Sequence, residues 1–82
     1  MLTLRKYVRE KVLKQSVTKR LEIIHEAGLT EMQTDIMIRK LINRHSNVQI
    51  SLDVNLSLEA VDKNIAKSYD VILGVLKECG IK

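Results

Sequence analysis

The stretch from Ser46 to Val61 constrains the fold more than any other part of the chain. It predicts a short amphipathic helix over about 48–53, a tight turn at Asn55 and a second helix after Ser57. Asn tolerates left-handed backbone angles better than other non-glycine residues, and Ser is a preferred residue at a helix N-terminus. Leu56 lies between them and is the apolar residue expected to anchor the turn in a core. The segment therefore predicts a helix-turn-helix.

The residues beyond Ser57 predict a long helix over about 58–79. Its apolar residues recur at helical spacing on one face, and charged residues occupy the opposite face. Cys79 is expected to be a small buried hydrophobe, and Gly80 is expected to end the helix. The predicted buried face consists of Leu58, Val61, Ile65, Tyr69, Ile72, Leu76 and Cys79. The second half of this helix needs a packing partner, either the N-terminal helix or a second chain.

The first half of the chain predicts three more helices. A helix over 3–14 is followed by a break, because the apolar residues after it lie on a different face. Ser16 is expected to cap the second helix, and Gly28 is expected to end it in a left-handed conformation. Thr30 and Gln33 have the spacing of a capping box at the start of a third helix over about 31–44.

Composition supports a helical fold of one domain. The 82 residues contain no Pro, Trp or Phe and only three Gly, so few residues interrupt helices. We therefore expect an all-α fold, a small helical domain of four to five helices with a helix-turn-helix and a long C-terminal helix. The single domain 1–82 divides into a basic N-terminal segment, 1–28, and a helix-turn-helix unit, 29–79.

The net charge of +4 is concentrated in the N-terminal third of the chain. A basic face attracts polyanions and accelerates encounter with them, whereas the alternative is a merely solvated helix face. The basic residues concerned are Arg5, Lys6, Arg9, Lys11, Lys14, Lys19 and Arg20.

The pattern from residue 29 onward resembles region 4 of bacterial sigma factors and, in part, LuxR-type DNA-binding domains. The resemblance covers about residues 29–73, and small phage and mobile-element proteins also carry this module. It implies a sequence-specific double-stranded DNA-binding protein, a small transcriptional regulator of phage or mobile-element origin. The matching residues are Leu29, Thr30, Glu31, Gln33, Ile36, Ser46, Gln49, Ile50, Asn55, Leu56, Ser57 and Val61.

By this resemblance, residues 58–67 form a recognition helix that enters the major groove. The side chains expected to read bases are Ser57, Glu59, Ala60, Lys63, Asn64 and Lys67. The connection before the first motif helix is expected to approach phosphates through Arg44, His45, Ser46 and Asn47.

The sequence departs from the family pattern within this helix. Sigma-like members often carry basic residues near positions where this chain has Asp62 and Asn64. The resulting recognition helix is close to neutral and gains little from counterion release. Duplex binding would then need a homodimer or help from the basic N-terminal segment.

No residue pattern indicates an enzyme. His25 and His45 lack Cys or His partners at metal-ligand spacing, and no glycine-rich phosphate loop is present. We therefore expect no catalytic residue, no metal, no cofactor and no small-molecule substrate. The absence of a long apolar run or a signal peptide predicts no membrane association, and the single cysteine suits the cytoplasm.

Two functional hypotheses follow. The first is DNA binding through residues 58–67. The second keeps the helix-turn-helix fold but makes it a protein-protein interaction module, with RNA polymerase, another regulator or a phage packaging component as its partner. The neutral recognition helix favours the second hypothesis, whereas the ordered motif spacing and the basic N-terminus favour the first.

Overall fold

The protein folds into five helices, as seen in a computed structural model that describes residues 4–78. They are α1 (Leu4–Leu13), α2 (Val17–Glu26), α3 (Glu31–Leu41), α4 (Asn47–Val54) and α5 (Leu58–Glu78). No strand occurs within the described range. The predicted all-α fold with a long C-terminal helix is thus confirmed. The predictions for Cys79 and Gly80 lie outside the described residues.

Helix α2 begins and ends, and helix α3 begins, where local signals predict. Ser16 accepts a hydrogen bond from the Lys19 backbone N–H, and Gly28 takes a left-handed φ of 66° after α2. Thr30 and Gln33 form the expected capping box at the start of α3. These confirmed positions depend only on side chain to backbone bonds within a few residues, which is why the sequence is sufficient to predict them.

Helix α3 ends at Leu41, three residues earlier than the predicted boundary at residue 44. Arg44 adopts a left-handed φ of 60°. The backbone N–H of Asn43 donates to the Ile38 carbonyl, and that of His45 donates to the Arg39 carbonyl, at 3.2 and 3.0 Å. The chain therefore closes the helix end early and turns toward α4, a conformation that sequence alone does not predict at an arginine.

The chain reverses between α4 and α5 at Asn55. This residue is left-handed, with φ 59° and ψ 43°, and its backbone N–H donates to the Ser51 carbonyl. The Leu56 N–H donates to the same carbonyl at 3.1 Å, and the Leu56 side chain packs against the core. Ser57 then accepts a hydrogen bond from the Ala60 N–H at 3.1 Å. The predicted turn, apolar anchor and cap are all present.

Helix α5 contacts each of the other four helices. Its buried face comprises Val61, Ile65, Ser68, Tyr69, Ile72 and Leu76. Leu58 was expected in this face, but it remains 43% exposed because it lies in the first turn, at the edge of the domain. Ser68 is fully buried and was not expected there; its hydroxyl donates to the Asn64 carbonyl at 2.7 Å, so burial leaves no unpaired group.

Arg20 joins the ends of two helices. Its guanidinium donates to the carbonyls of Leu13 at 2.7 Å, Gln15 at 3.0 Å and Leu41 at 3.1 Å. Leu13 ends α1 and Leu41 ends α3, so one cation satisfies carbonyls that have no partner within their own helices. Arg20 is therefore a structural residue and is not available to a polyanion, contrary to the sequence expectation.

We expect substitutions at Asn55 to act through the backbone alone, because the residue is exposed and its left-handed φ is the constraint. Asn55→Val should lower the free energy of unfolding by about 1–2 kcal/mol, since β-branched residues are strained in this region. Asn55→Gly should change it by less than about 1 kcal/mol. Urea unfolding measures both, and equal stability of the two variants would contradict the turn described here.

Removal of the Arg20 guanidinium should lower the free energy of unfolding. Arg20→Met retains most of the apolar stem but leaves three carbonyls without their donor, and we expect a loss of about 2–3 kcal/mol in the free energy of unfolding. The neighbouring substitution Lys19→Met, which removes only an exposed ion pair with Glu22, should cost less than about 1 kcal/mol. Similar losses for the two variants in urea unfolding would show that Arg20 does not join these helices.

Candidate nucleic-acid interface

The outer face of the first half of α5 carries the side chains expected to read bases. Glu59, Lys63 and Lys67 are exposed, and Lys63 Nζ lies 3.2 Å from Glu59 Oε1. Both members of this ion pair are more than 70% exposed, so water screens the pair and either side chain is free to leave it. Together with the exposed Asp62, these three residues form an accessible, almost neutral surface.

The other three expected base-reading residues are less available. Ser57 is exposed, but its hydroxyl already caps α5. Ala60 and Asn64 are half-buried. The Asn64 amide donates to the Ala60 carbonyl at 2.9 Å, and its oxygen accepts from Gln33 Nε2 at 3.5 Å. Asn64 therefore serves the packing of α3 against α5, and base contact by this amide would require these bonds to break.

The expected phosphate-contacting connection, 44–47, is held in place by several hydrogen bonds. Ser46 caps α4 by accepting from the Gln49 N–H at 3.2 Å. Asn47 accepts from Lys40 Nζ at 2.7 Å and donates to Asp62 at 2.8 Å, so it links α3, α4 and α5. Arg44 is exposed at the outer edge of this connection.

His45 lies close to Asp53 of α4 and lines the same cavity as Arg44. Its Nδ1 is buried and lies 3.7 Å from Asp53 Oδ2. The same carboxylate accepts hydrogen bonds from Arg39 at 3.3 Å and from Gln49 at 2.9 Å. The Nδ1 atom of His45 therefore faces a carboxylate of the protein.

A groove of basic residues lies beside the N-terminus of α4. It consists of two adjoining cavities of about 350 and 280 Å³ that share Arg9 of α1 and Lys40 of α3. Arg44 and Ser46 line the first cavity, and Asn47 and Tyr69 line the second, together with Arg5 and Lys6. We call this feature, bounded by Arg5, Lys6, Arg9, Lys40 and Arg44, the cationic groove. Residues from α1, which the sequence pattern treated as a separate segment, thereby meet the expected phosphate-contacting connection.

The pKa of Lys40 is set first by burial and then by the charges around it. Partial burial lowers the pKa of its ammonium group below the usual value of 10.5, and the nearby Arg9 and Arg44 guanidinium groups lower it further, while Asp62 raises it. A like-charge cluster of this kind is stabilised by any anion that enters it.

Two carboxylates border the groove where it meets α5. Asp70 pairs with Arg5 at 3.3 Å, and Asp62 accepts from Asn47. Glu10 also lines the first cavity. Arg9 and Arg44 themselves have no hydrogen-bond or ion-pair partner within residues 4–78. The groove therefore retains at least two cations that no carboxylate in this part of the chain neutralises.

The other basic residues of the N-terminal segment lie outside the cationic groove. Lys19 pairs with Glu22 at 3.6 Å on α2, and Lys11 lies over the Tyr7 ring at 5.5 Å. The basic segment therefore has two parts. Arg5, Lys6 and Arg9 of α1 line the groove, whereas α2, including the structural residue Arg20, contributes no cation to it.

Metal-ligand clusters, membrane-spanning helices and similar proteins were each sought for this chain. Within residues 4–78, no group of three or more His, Cys, Asp or Glu could hold a metal ion. Among the described helices, none combines the length and apolar character that crossing a membrane requires. Comparison with protein-family models, with curated proteins and with solved structures finds no match to this chain.

Proposed function

We propose that the protein binds double-stranded DNA, with the outer face of α5 in the major groove and the cationic groove against the phosphate backbone. The resemblance to sigma region 4 indicates the same mode of binding and a role as a small transcriptional regulator. On this proposal Lys63 and Lys67 contact guanine edges or phosphates, and Glu59 accepts from cytosine.

The observation that carries the proposal is the position of the cationic groove next to the N-terminus of α4. In helix-turn-helix proteins the first motif helix crosses the DNA backbone while the second lies in the major groove. Here the Asn47–Asp62 hydrogen bond holds the start of α4 beside the second turn of α5. Cations from Arg9, Lys40 and Arg44 are thus available beside the helix that the proposal assigns to the DNA.

This arrangement supplies the positive charge that the reading helix lacks. Five charged residues occupy the accessible side of its first four turns, namely Glu59, Asp62, Lys63, Lys67 and Asp70. Three carboxylates outnumber two ammonium groups, so affinity for phosphates has to come from another element. Because the groove is part of the same rigid set of helices, a single chain can present both surfaces.

A second candidate function is supported by the outer face of α4. Val48 and Leu52 are four residues apart on this helix and are 55% and 72% exposed. Neighbouring exposed apolar side chains on one helix face favour contact with another protein. On this alternative, α4 docks onto a protein partner such as RNA polymerase or a second regulator, and α5 has no DNA-reading role.

The DNA proposal is tested by reversing the charge of α5. The double variant Lys63→Glu with Lys67→Glu should bind a mixed-sequence duplex about 30-fold more weakly than the unaltered protein at low salt, because two contacts of about 1 kcal/mol each are lost. Fluorescence anisotropy with a labelled duplex measures the affinity, and a salt titration measures the number of phosphate contacts.

The matched control is Lys19→Glu with Lys77→Glu, which changes the net charge equally on α2 and at the end of α5. Its affinity should fall by less than about threefold, since only the long-range field changes. An equal loss in the two double variants would indicate non-specific attraction. Undetectable binding of the unaltered protein to duplexes of random and mixed sequence at low salt would overturn the proposal.

A further inference from the structure

Tyr69 lines the cationic groove and has a buried hydroxyl without a hydrogen-bond partner among the described residues; His45 Nδ1, which lines the first cavity, is also buried but lies 3.7 Å from Asp53 Oδ2. The side chain is 5% exposed, and its hydroxyl has no hydrogen bond in the structure. Tyr69 lines the second cavity of the groove together with Arg9 and Lys40. A buried hydroxyl without a partner costs free energy, and its persistence at a cavity wall points to a ligand that completes it.

The surroundings of the hydroxyl identify the charge of that ligand. Arg9 and Arg44 act electrostatically on Tyr69 as they do on Lys40, so the phenol and the three cations lie within one field. Burial outweighs this field and raises the pKa of Tyr69 to about 12; like an ordinary phenol, the hydroxyl is protonated and able to donate at neutral pH. A protonated hydroxyl among cations suits an anionic oxygen acceptor.

Backbone strain at Arg44 is a second sign. A left-handed φ of 60° is costly for arginine, and glycine would adopt it without strain. Arg44 makes no hydrogen bond or ion pair with residues 4–78 that would offset this cost, yet its side chain lines the first cavity beside Arg9 and Lys40. Strained residues of this kind cluster at binding sites.

We propose that the cationic groove is a phosphate site in which the Tyr69 hydroxyl donates to a non-bridging oxygen of a DNA backbone phosphodiester. Arg9 and Arg44 supply guanidinium donors, and Lys40 supplies the donors that its bond to Asn47 leaves free. This inference rests on the proposed function and adds to it a defined contact between α1, α3 and one phosphate.

Entry of the phosphate requires only side-chain motion. Arg9 and Lys40 are half-buried, and long side chains of this kind change rotamers far faster than helices move. Asp62 and Glu10 remain at the borders of the groove, where Asp62 stays bonded to Asn47. The site therefore takes a single phosphate held among three cations, and not an extended polyanion lying along the groove.

Two substitutions test the site without threatening the fold. Tyr69→Phe removes an unpaired hydroxyl, and Arg44→Gly relieves a strained φ, so the midpoint of urea unfolding should stay the same or rise in each. If these residues had only structural roles, neither change would reduce ligand binding. The matched controls are Tyr7→Phe, which removes the other tyrosine hydroxyl, and Lys77→Gln, which removes one exposed cation.

Each variant is titrated with two probes, a labelled mixed-sequence duplex and inorganic phosphate, the second followed by two-dimensional NMR. Tyr69→Phe should weaken duplex binding about tenfold or more, as expected for a hydrogen bond to a charged group. Arg44→Gly should weaken it about fivefold or more and lower the salt slope by about one. Both controls should remain within about twofold of the unaltered protein.

The two probes separate failure of this inference from failure of the proposed function. Duplex affinity that is unchanged in both Tyr69→Phe and Arg44→Gly overturns the phosphate site while leaving DNA binding intact. If the protein does not bind duplex DNA but binds inorganic phosphate, and Tyr69→Phe loses this phosphate binding, the proposed function is overturned and free phosphate is the ligand of the groove. Binding of neither probe overturns both proposals.

Discussion

The direction of α5 depends on a single left-handed residue, Asn55, and the rest of the fold depends on α5. The Asn55 turn satisfies the Ser51 carbonyl twice and delivers Leu56 to the core. Because α5 then contacts all four other helices, an error in its direction would expose Val61, Ile65 and Ile72 together. Burial of each such side chain is worth about 1.5–3 kcal/mol, which greatly exceeds the backbone cost at Asn55.

The outer face of α5 and the unneutralised cations lie on different parts of the structure. Helix α5 presents an accessible but nearly neutral surface, whereas the unneutralised cations belong to α1 and to the connection between α3 and α4. Asn47 accepts a hydrogen bond from Lys40 and donates one to Asp62, and these two bonds fix the two surfaces relative to each other. Our proposal gives these surfaces different tasks: the groove supplies affinity for phosphates, and α5 supplies contacts to bases. A neutral reading helix is then compatible with DNA binding, provided that α1 stays packed in place.

The parts of the structure that could be predicted from sequence are those set by local chemistry. The cap at Ser16, the capping box at Thr30 and the turn at Asn55 each involve groups only a few residues apart. Arg20 and Tyr69 could not be assigned in this way, because their roles depend on which helices meet around them. An arginine in a basic run looks like a solvent-facing cation, and a tyrosine on an apolar stripe looks like a core residue.

The candidate site illustrates the same limit. The spacing identified the exposed residues Glu59, Lys63 and Lys67, since helical periodicity determines which side of α5 faces outward. The spacing did not predict the hydrogen bond from Gln33 to Asn64. It also did not predict that Arg9 and Lys40, which are 31 positions apart in the sequence, line the same cavity. Long-range packing created the groove, and only a three-dimensional structure reveals such a feature.

Chemical-shift mapping with a mixed-sequence duplex locates the surface that contacts DNA, because it reports on every backbone amide at once. We expect the largest changes at the start of α5 around Lys63, at residues 44–47 and in α1 around Arg9. Changes confined to the outer face of α4 around Leu52, or an unaltered spectrum at low salt, would contradict the assignment of this surface to DNA.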